Sequence, residues 1–196
     1  MWKKGNMTAR GFALFATAIG TCAIAWGRGG IVRIMLPEAD AADSRRRIVR
    51  RFPEVVEMRP APGVDLAIAD IVRLIGGGRN DLGRITLDMS GVPDFDRSVY
   101  DVARTIPAGA TLTYGEVAKR IGEPGSARAV GQTLGRNPVP IVVPCHRVLA
   151  ASGKTGGFSA AGGRATKLRL LTIEGAHLGD APTLFDAVGG LPYRAA

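Results

Sequence analysis

Cys145 and His146 stand side by side after an apolar run, Ile141-Val142-Val143, with Pro140 and Pro144 on either side of that run. A carboxylate, Glu174, falls on the last turn of a later helical stretch. Cysteine, histidine and carboxylate together are the composition of an activated nucleophile. A thiol with a reference pKa of about 8.5 needs a base to become thiolate, and the base needs a group that orients it. Adjacent Cys and His need not touch, so a bridging water is compatible with the pattern. The bland alternative is a core thiol, since free Cys is among the most buried residue types. Three features weigh against it: the prolines stiffen the backbone, the polar pair His146 and Arg147 follows directly, and a carboxylate at a helix C-terminus opposes the helix dipole.

The elements around this trio are mainly helical. Phe95, Val99, Val102, Ala103 and Ile106 share one face of a helix that ends at Pro107-Ala108-Gly109. Thr113 with Glu116 three residues later forms a capping box, which predicts a helix through Ile121. Gly122 and Pro124-Gly125 stop it, and Ser126 is expected to cap a second helix over 127–135, giving the outline of a helix-turn-helix. On that second helix Ala127, Ala129 and Gly131 leave a narrow surface beside Arg128. It suits close approach to a sugar-phosphate wall and suits close helix packing equally well. Arg136-Asn137-Pro138-Val139-Pro140 then reads as an extended, proline-fixed segment leading to the Cys.

Upstream, Thr21 to Trp26 and Ile31 to Leu36 are β-prone runs joined by Gly27-Arg28-Gly29-Gly30, which predicts a hairpin. Lys3, Lys4 and Arg10 before the uncharged run 11–27 resemble a signal peptide, but Thr17, Gly20 and Thr21 interrupt it and the hairpin is the preferred reading. Met7 is a second candidate start, which would remove Lys3 and Lys4. Helices are expected over Glu38 to Phe52 and Val64 to Ile75, a short strand over Arg84 to Met89, and a boundary at Ser90-Gly91-Val92-Pro93. Arg45, Arg46, Arg47, Arg50 and Arg51 read as a solvated helix face.

With 196 residues, 46% of them hydrophobic, the chain has enough apolar content for a core, which excludes disorder as the main state. Two cysteines, Cys22 and Cys145, and two histidines, His146 and His177, supply neither a disulfide framework nor a zinc tetrad. No metal and no cofactor is therefore expected, and a reducing compartment, the cytoplasm, fits best. The net charge of +9 favours a polyanionic partner. Between Thr113 and Arg169 nine basic residues, Lys119, Arg120, Arg128, Arg136, Arg147, Lys154, Arg164, Lys167 and Arg169, face only Glu116 and Glu123, an electrostatic footprint for nucleic acid.

Tyr114, Arg128-Ala129-Val130-Gly131, Asn137-Pro138-Val139-Pro140, Pro144-Cys145-His146-Arg147-Val148, Gly157-Phe158-Ser159 and Leu170-Leu171 through Glu174-Gly175 together resemble the O6-alkylguanine-DNA alkyltransferases. The resemblance covers about Phe95 to Gly179. It implies an α/β chain: an extension (1–10), a small ribonuclease-H-like domain (11–91), a mainly helical DNA-binding alkyltransferase domain with a winged-helix-like helix-turn-helix (92–179), and a tail (180–196). It also implies a monomeric, single-turnover repair protein that needs no membrane. Such a protein binds double-stranded DNA, rotates the O6-alkylguanine nucleotide out, and moves the alkyl group to its own cysteine. O4-alkylthymine is a further candidate substrate.

By that resemblance Cys145 is the acceptor, His146 its base through water, Glu174 the group orienting His146, and Asn137 the residue ordering the hinge. Arg128 fills the vacated stack, while Ala127, Ala129 and Arg136 belong to the DNA-binding surface. Tyr114 turns the nucleotide and lines the base pocket with Val148, Phe158 and Ser159. Phe158 stands where many relatives carry Tyr or another side chain, and Ala160-Ala161-Gly162-Gly163 is expected to make a small, flexible lip, which leaves the accepted alkyl size open. Three rivals remain: a non-catalytic binder of alkylated DNA, which has no use for Cys145; a cysteine hydrolase, which has no use for Arg128; and a plain DNA-binding regulator.

Overall fold

The computed structural model describes residues 9–80, 82–151 and 162–176. Strands β1 (Gly11–Thr17), β2 (Gly20–Gly27) and β3 (Gly30–Met35) form an antiparallel meander, and the two-residue β4 (Val56–Glu57) pairs in parallel with β1, giving the order β3-β2-β1-β4. The hairpin expected from the glycine-rich turn is β2–β3, with Ile24 opposite Ile34 and a bulge at Ala25/Trp26. Strand β1 was not anticipated. It lies between β2 and β4 and is buried along most of its length, so its sequence lacks the polar-apolar alternation that marks a half-exposed strand. The uncharged run 11–27 is thus an antiparallel strand pair. No helix among the described residues is long and apolar enough to cross a membrane.

Each sheet face has its own cover. Phe12, Ala23, Ala25, Val32 and Met35 pack with Ile48 and Phe52 around α1 (Ala41–Arg51), whose N-cap Asp40 accepts the Asp43 N–H at 2.7 Å. Its arginines 45, 46, 50 and 51 are exposed, as expected for a solvated face. The opposite face, with Phe15, Cys22, Ile24 and Ile34, joins α2 (Pro62–Ile75) and then runs without a break into the core of the second half, through Val99, Val117, Val130 and Val143. Arg84 to Met89 does not form the expected strand. It touches β3 through one parallel bridge, Ile31 to Leu87, before Gly91 turns it away. A Cβ on Gly30 would lie 2.6 Å from the Thr86 carbonyl oxygen, so this contact needs glycine.

The second half comprises α3 (Asp94–Arg104), β5 (Leu112–Thr113), α4 (Tyr114–Arg120), α5 (Ala127–Gly135), a 3-10 turn (Cys145–Arg147), β6 (Val148–Leu149) and α6 (Gly163–Ile173). The Thr113–Glu116 capping box is present, with Glu116 N–H donating to Thr113 Oγ1 at 3.1 Å and Thr113 N–H to Glu116 Oε2 at 2.6 Å. Ser126 departs from expectation. Its hydroxyl donates back to Glu123 O at 2.8 Å and makes no side-chain cap on α5. The sequence also gave no sign of β5 and β6, two residues each, whose parallel pairing (Leu112 with Val148, Thr113 with Leu149) brings the start of α4 beside the Cys145 turn.

Candidate active site and nucleic-acid interface

The Cys145 turn is held from below by Asn137. Its Nδ2 donates to Val143 O at 2.7 Å and its Oδ1 accepts from Val139 N at 3.0 Å, closing the loop between the two prolines. The β3 edge adds Ile34 N–H to Pro138 O at 3.0 Å. Within this loop Ile141 has φ of 77°. That is a left-handed conformation disfavoured for a β-branched side chain and costs on the order of 1–3 kcal/mol. The surrounding bonds enforce it, and the chain emerges aimed so that Cys145 starts the 3-10 turn.

His146 is fully buried, and its Nε2 lies 3.0 Å from Glu174 Oε1. Glu174 is the C-cap residue of α6, one position beyond the expected last turn. With the carboxylate ionised, Nε2 carries the hydrogen and donates it, which leaves Nδ1 as a bare acceptor; that atom is buried and has no partner among the described residues. Arg147 Nε donates to Glu174 Oε2 at 2.8 Å and its Nη2 to Oε1 at 2.8 Å. Burial pushes the Glu174 carboxyl up, but the hydrogen bonds and charges of His146 and Arg147 outweigh it and bring it down to about 2. Burial lowers His146 below its ordinary value; Glu174 opposes that, while Arg147 and Lys167 reinforce it.

Burial raises the Cys145 thiol, against which act a hydrogen bond from Asn137, the charge of Lys167 and the N–H groups of Cys145 and His146. These donors would stabilise a thiolate once formed. Two of the nine basic residues expected in the nucleic-acid footprint, Arg147 and Lys167, are buried and face the protein interior. Lys167 is fully buried on α6, with Nζ 2.7 Å from Val148 O and 5.9 Å from the Tyr114 ring centre, and burial lowers its pKa to about 8. The signal was available, because Lys167, Leu170, Leu171 and Glu174 repeat on one helical face, so a lysine sits within a core stripe.

Tyr114 opens α4 half-buried, near enough to Cys145 that a thiolate adds to the effect of burial in raising its phenol. Arg128 on α5 is exposed and makes no hydrogen bond or ion pair among the described residues. Ala127, Ala129 and Gly131 are partly exposed beside it. A Cβ on Gly131 would meet the Tyr114 ring at 3.7 Å, an ordinary contact, so internal packing does not require glycine there. Arg136 pairs with the buried Asp96 at 3.3 Å. Asp96 also accepts from Thr133 Oγ1 at 2.6 Å, and the buried Tyr100 hydroxyl donates to Thr133 O at 3.2 Å. Asp96, Thr133 and Tyr100, unremarked in the sequence, bind α5 to α3, and Arg136, expected on the DNA-binding surface, joins them through Asp96. Val148 is buried and its carbonyl is taken by Lys167. Phe158, Ser159 and His177 lie outside the described residues.

Residues 94–176 match the family model of the 6-O-methylguanine DNA methyltransferase DNA-binding domain. A methylated-DNA–protein-cysteine methyltransferase of Methanothermobacter thermautotrophicus is 36% identical over 155 residues, 79% of this chain and 80% of the relative. The chain belongs to this family. The Mycolicibacterium paratuberculosis methylated-DNA–protein-cysteine methyltransferase is 51% identical over 102 residues, 52% of this chain, and that match spans 60% of the relative's length. Among solved structures, that of Mycobacterium tuberculosis OGT in complex with DNA superposes with a TM-score of 0.66 at 33% identity, covering 84% of this chain and 92% of that one.

Proposed function

We propose that this chain repairs O6-alkylguanine in double-stranded DNA by a single irreversible transfer of the alkyl group to Cys145. The observation that carries the reading is the pairing of the buried His146 and Glu174 side chains, which leaves a bare Nδ1 on the residue that follows the acceptor cysteine. The thiol proton passes through water to Nδ1, and Glu174 steadies the imidazolium that forms. The sulfur attacks the alkyl carbon, an S–C bond forms as the C–O6 bond breaks, and the electron pair leaves on O6. The guanine then takes up the proton released by His146. A thioether results, and it has no leaving group that would free the thiol again.

Access requires the nucleotide to leave the stack, at a cost of a few kcal/mol that is smallest for a poorly paired base. Arg128, exposed on the small-residue face of α5, fills the gap, with Ala127 and Ala129 against the groove wall. Tyr114 and Val148 flank the pocket. Arg136 remains a DNA-facing group only through the part of its side chain left exposed beside Asp96. A ribonuclease-H-like first half and a winged-helix-like second half, divided near residue 91, describe the α/β architecture in this reading. The protein acts as a cytoplasmic monomer. The test is product stoichiometry on duplex carrying O6-methylguanine. Repaired guanine should plateau at one equivalent per protein; continued turnover would favour a hydrolase, and no product would favour a binder.

A further inference from the structure

Glu174 is shared. Its Oε1 receives both His146 Nε2 and Arg147 Nη2, at 3.0 and 2.8 Å, and its Oε2 receives Arg147 Nε at 2.8 Å. The remaining arm of Arg147, Nη1, donates to the Ile106 carbonyl just beyond α3, so the guanidinium is fixed at both ends and buried. A two-point fork of this kind sets the plane of the carboxylate, which a single hydrogen bond from an imidazole does not. It also satisfies most of the carboxylate's charge before the imidazole needs it.

We propose that Arg147 is a positioning residue for the transfer: by gripping both oxygens of Glu174 it fixes His146 in the tautomer with Nδ1 bare and keeps the imidazole neutral until the thiol gives up its proton. The proposal rests on the relay of Cys145, His146 and Glu174 and adds a function for Arg147, to which the sequence assigns only a place in the motif and in the basic cluster. Among the described residues, the charged and titratable groups around His146 are Cys145 and Arg147 from its own turn, Lys167 from α6 and Glu174 at its C-cap. Two of these are cations and one is an anion: burial, foremost, and the cations disfavour the imidazolium, while Glu174 favours it. A histidine protonated at rest cannot accept the thiol proton. Arg147 removes that problem without displacing the carboxylate.

The experiment uses the full chain with His177→Gln, which leaves His146 as the single histidine, and follows its ring nitrogens by NMR across pH beside the pH profile of methyl transfer. In the parent, His146 should show the Nε2–H tautomer and stay neutral below its ordinary titration range. Arg147→Met should raise its proton affinity about tenfold or more, one pH unit or more, and carry the acid limb of the transfer rate upward by the same amount. Arg147→Lys keeps the charge and loses the fork, so its titration should remain near the parent while the tautomer becomes mixed and transfer slows. A folded Arg147→Met protein with unchanged titration and acid limb would overturn the proposal. If that variant does not fold, an Arg147→Lys protein with parental tautomer and rate would do the same. The ring titration needs no alkyl transfer, so a failure of the Cys145 assignment appears separately, as a parent protein that gains no methyl group.

Discussion

Replacing Lys167 by Met should make the protein more stable at neutral pH and less active. The ammonium is fully buried and its pKa falls from 10.5 to about 8, chiefly through burial. Each unit is worth about 1.4 kcal/mol, so holding the charge inside at neutral pH costs on the order of 3 kcal/mol. The bond to Val148 O returns about 1.5–3 kcal/mol. Met matches the length of the stem and carries no charge, leaving a net gain of roughly 0–2 kcal/mol, or a few degrees in Tm for a chain of this size. The sign follows from the lowered pKa. The folded state holds the proton less tightly than the unfolded chain, so the wild type carries the penalty below pH 8 and sheds it as pH rises from about 8 to 10.5. The advantage of Met should therefore fall by about 3 kcal/mol across that window and turn into a disadvantage at its upper end. Transfer should fall about 10- to 100-fold, because one of the groups stabilising the Cys145 thiolate is gone. Denaturant titrations of both proteins at several pH values, paired with single-turnover transfer on duplex, measure both effects. A stability difference that stays constant from pH 7 to pH 10, or transfer at the wild-type rate, would refute the reasoning.

Cys145→Ala should lose all transfer yet bind alkylated duplex as well as the wild type or better, in a mobility-shift titration. Arg128→Ala should slow transfer from duplex far more than from the free alkylated base; equal losses would assign Arg128 to folding or chemistry. Glu174→Gln should cost about 10²–10⁴-fold in transfer. It should also cost about 3–5 kcal/mol in stability, because the buried Arg147 charge loses its partner; a fully stable variant would show that the fork matters little. Glu174 contributes stability that is present above its unfolded pKa near 4.5 and is lost as pH falls towards about 2, so acid unfolding of the wild type should fall in that window and flatten in Glu174→Gln.

Local chemistry was legible where it was local. The Thr113–Glu116 capping box, the Gly27–Gly30 turn and the adjacency of Cys145 and His146 each depend on residues a few positions apart, and the structure holds the first two as read. Strand β1 was invisible because burial on both faces removes alternation. The Arg84–Met89 strand was overread, since a β-like pattern says nothing about whether a partner edge continues beside it. Arg147 and Lys167 read in the sequence as part of a DNA-facing charge cluster, whereas both are buried, because their partners, Glu174 and Val148 O, come from distant parts of the chain and only the helical stripe of α6 hints at the lysine. The contact between His146 and Glu174 was the reverse case, placed by family resemblance and found at 3.0 Å.

The central claim is that Cys145 takes the alkyl group. Incubating the protein with duplex DNA carrying one O6-methylguanine, then digesting it and mapping the peptides by mass, tests this directly. The expected result is one added methyl group per chain, on the peptide containing Cys145 and stable to thiol reductants, with Cys22 unmodified. A methyl group on any other residue, or a restored guanine with no mass gained by the protein, would contradict the account.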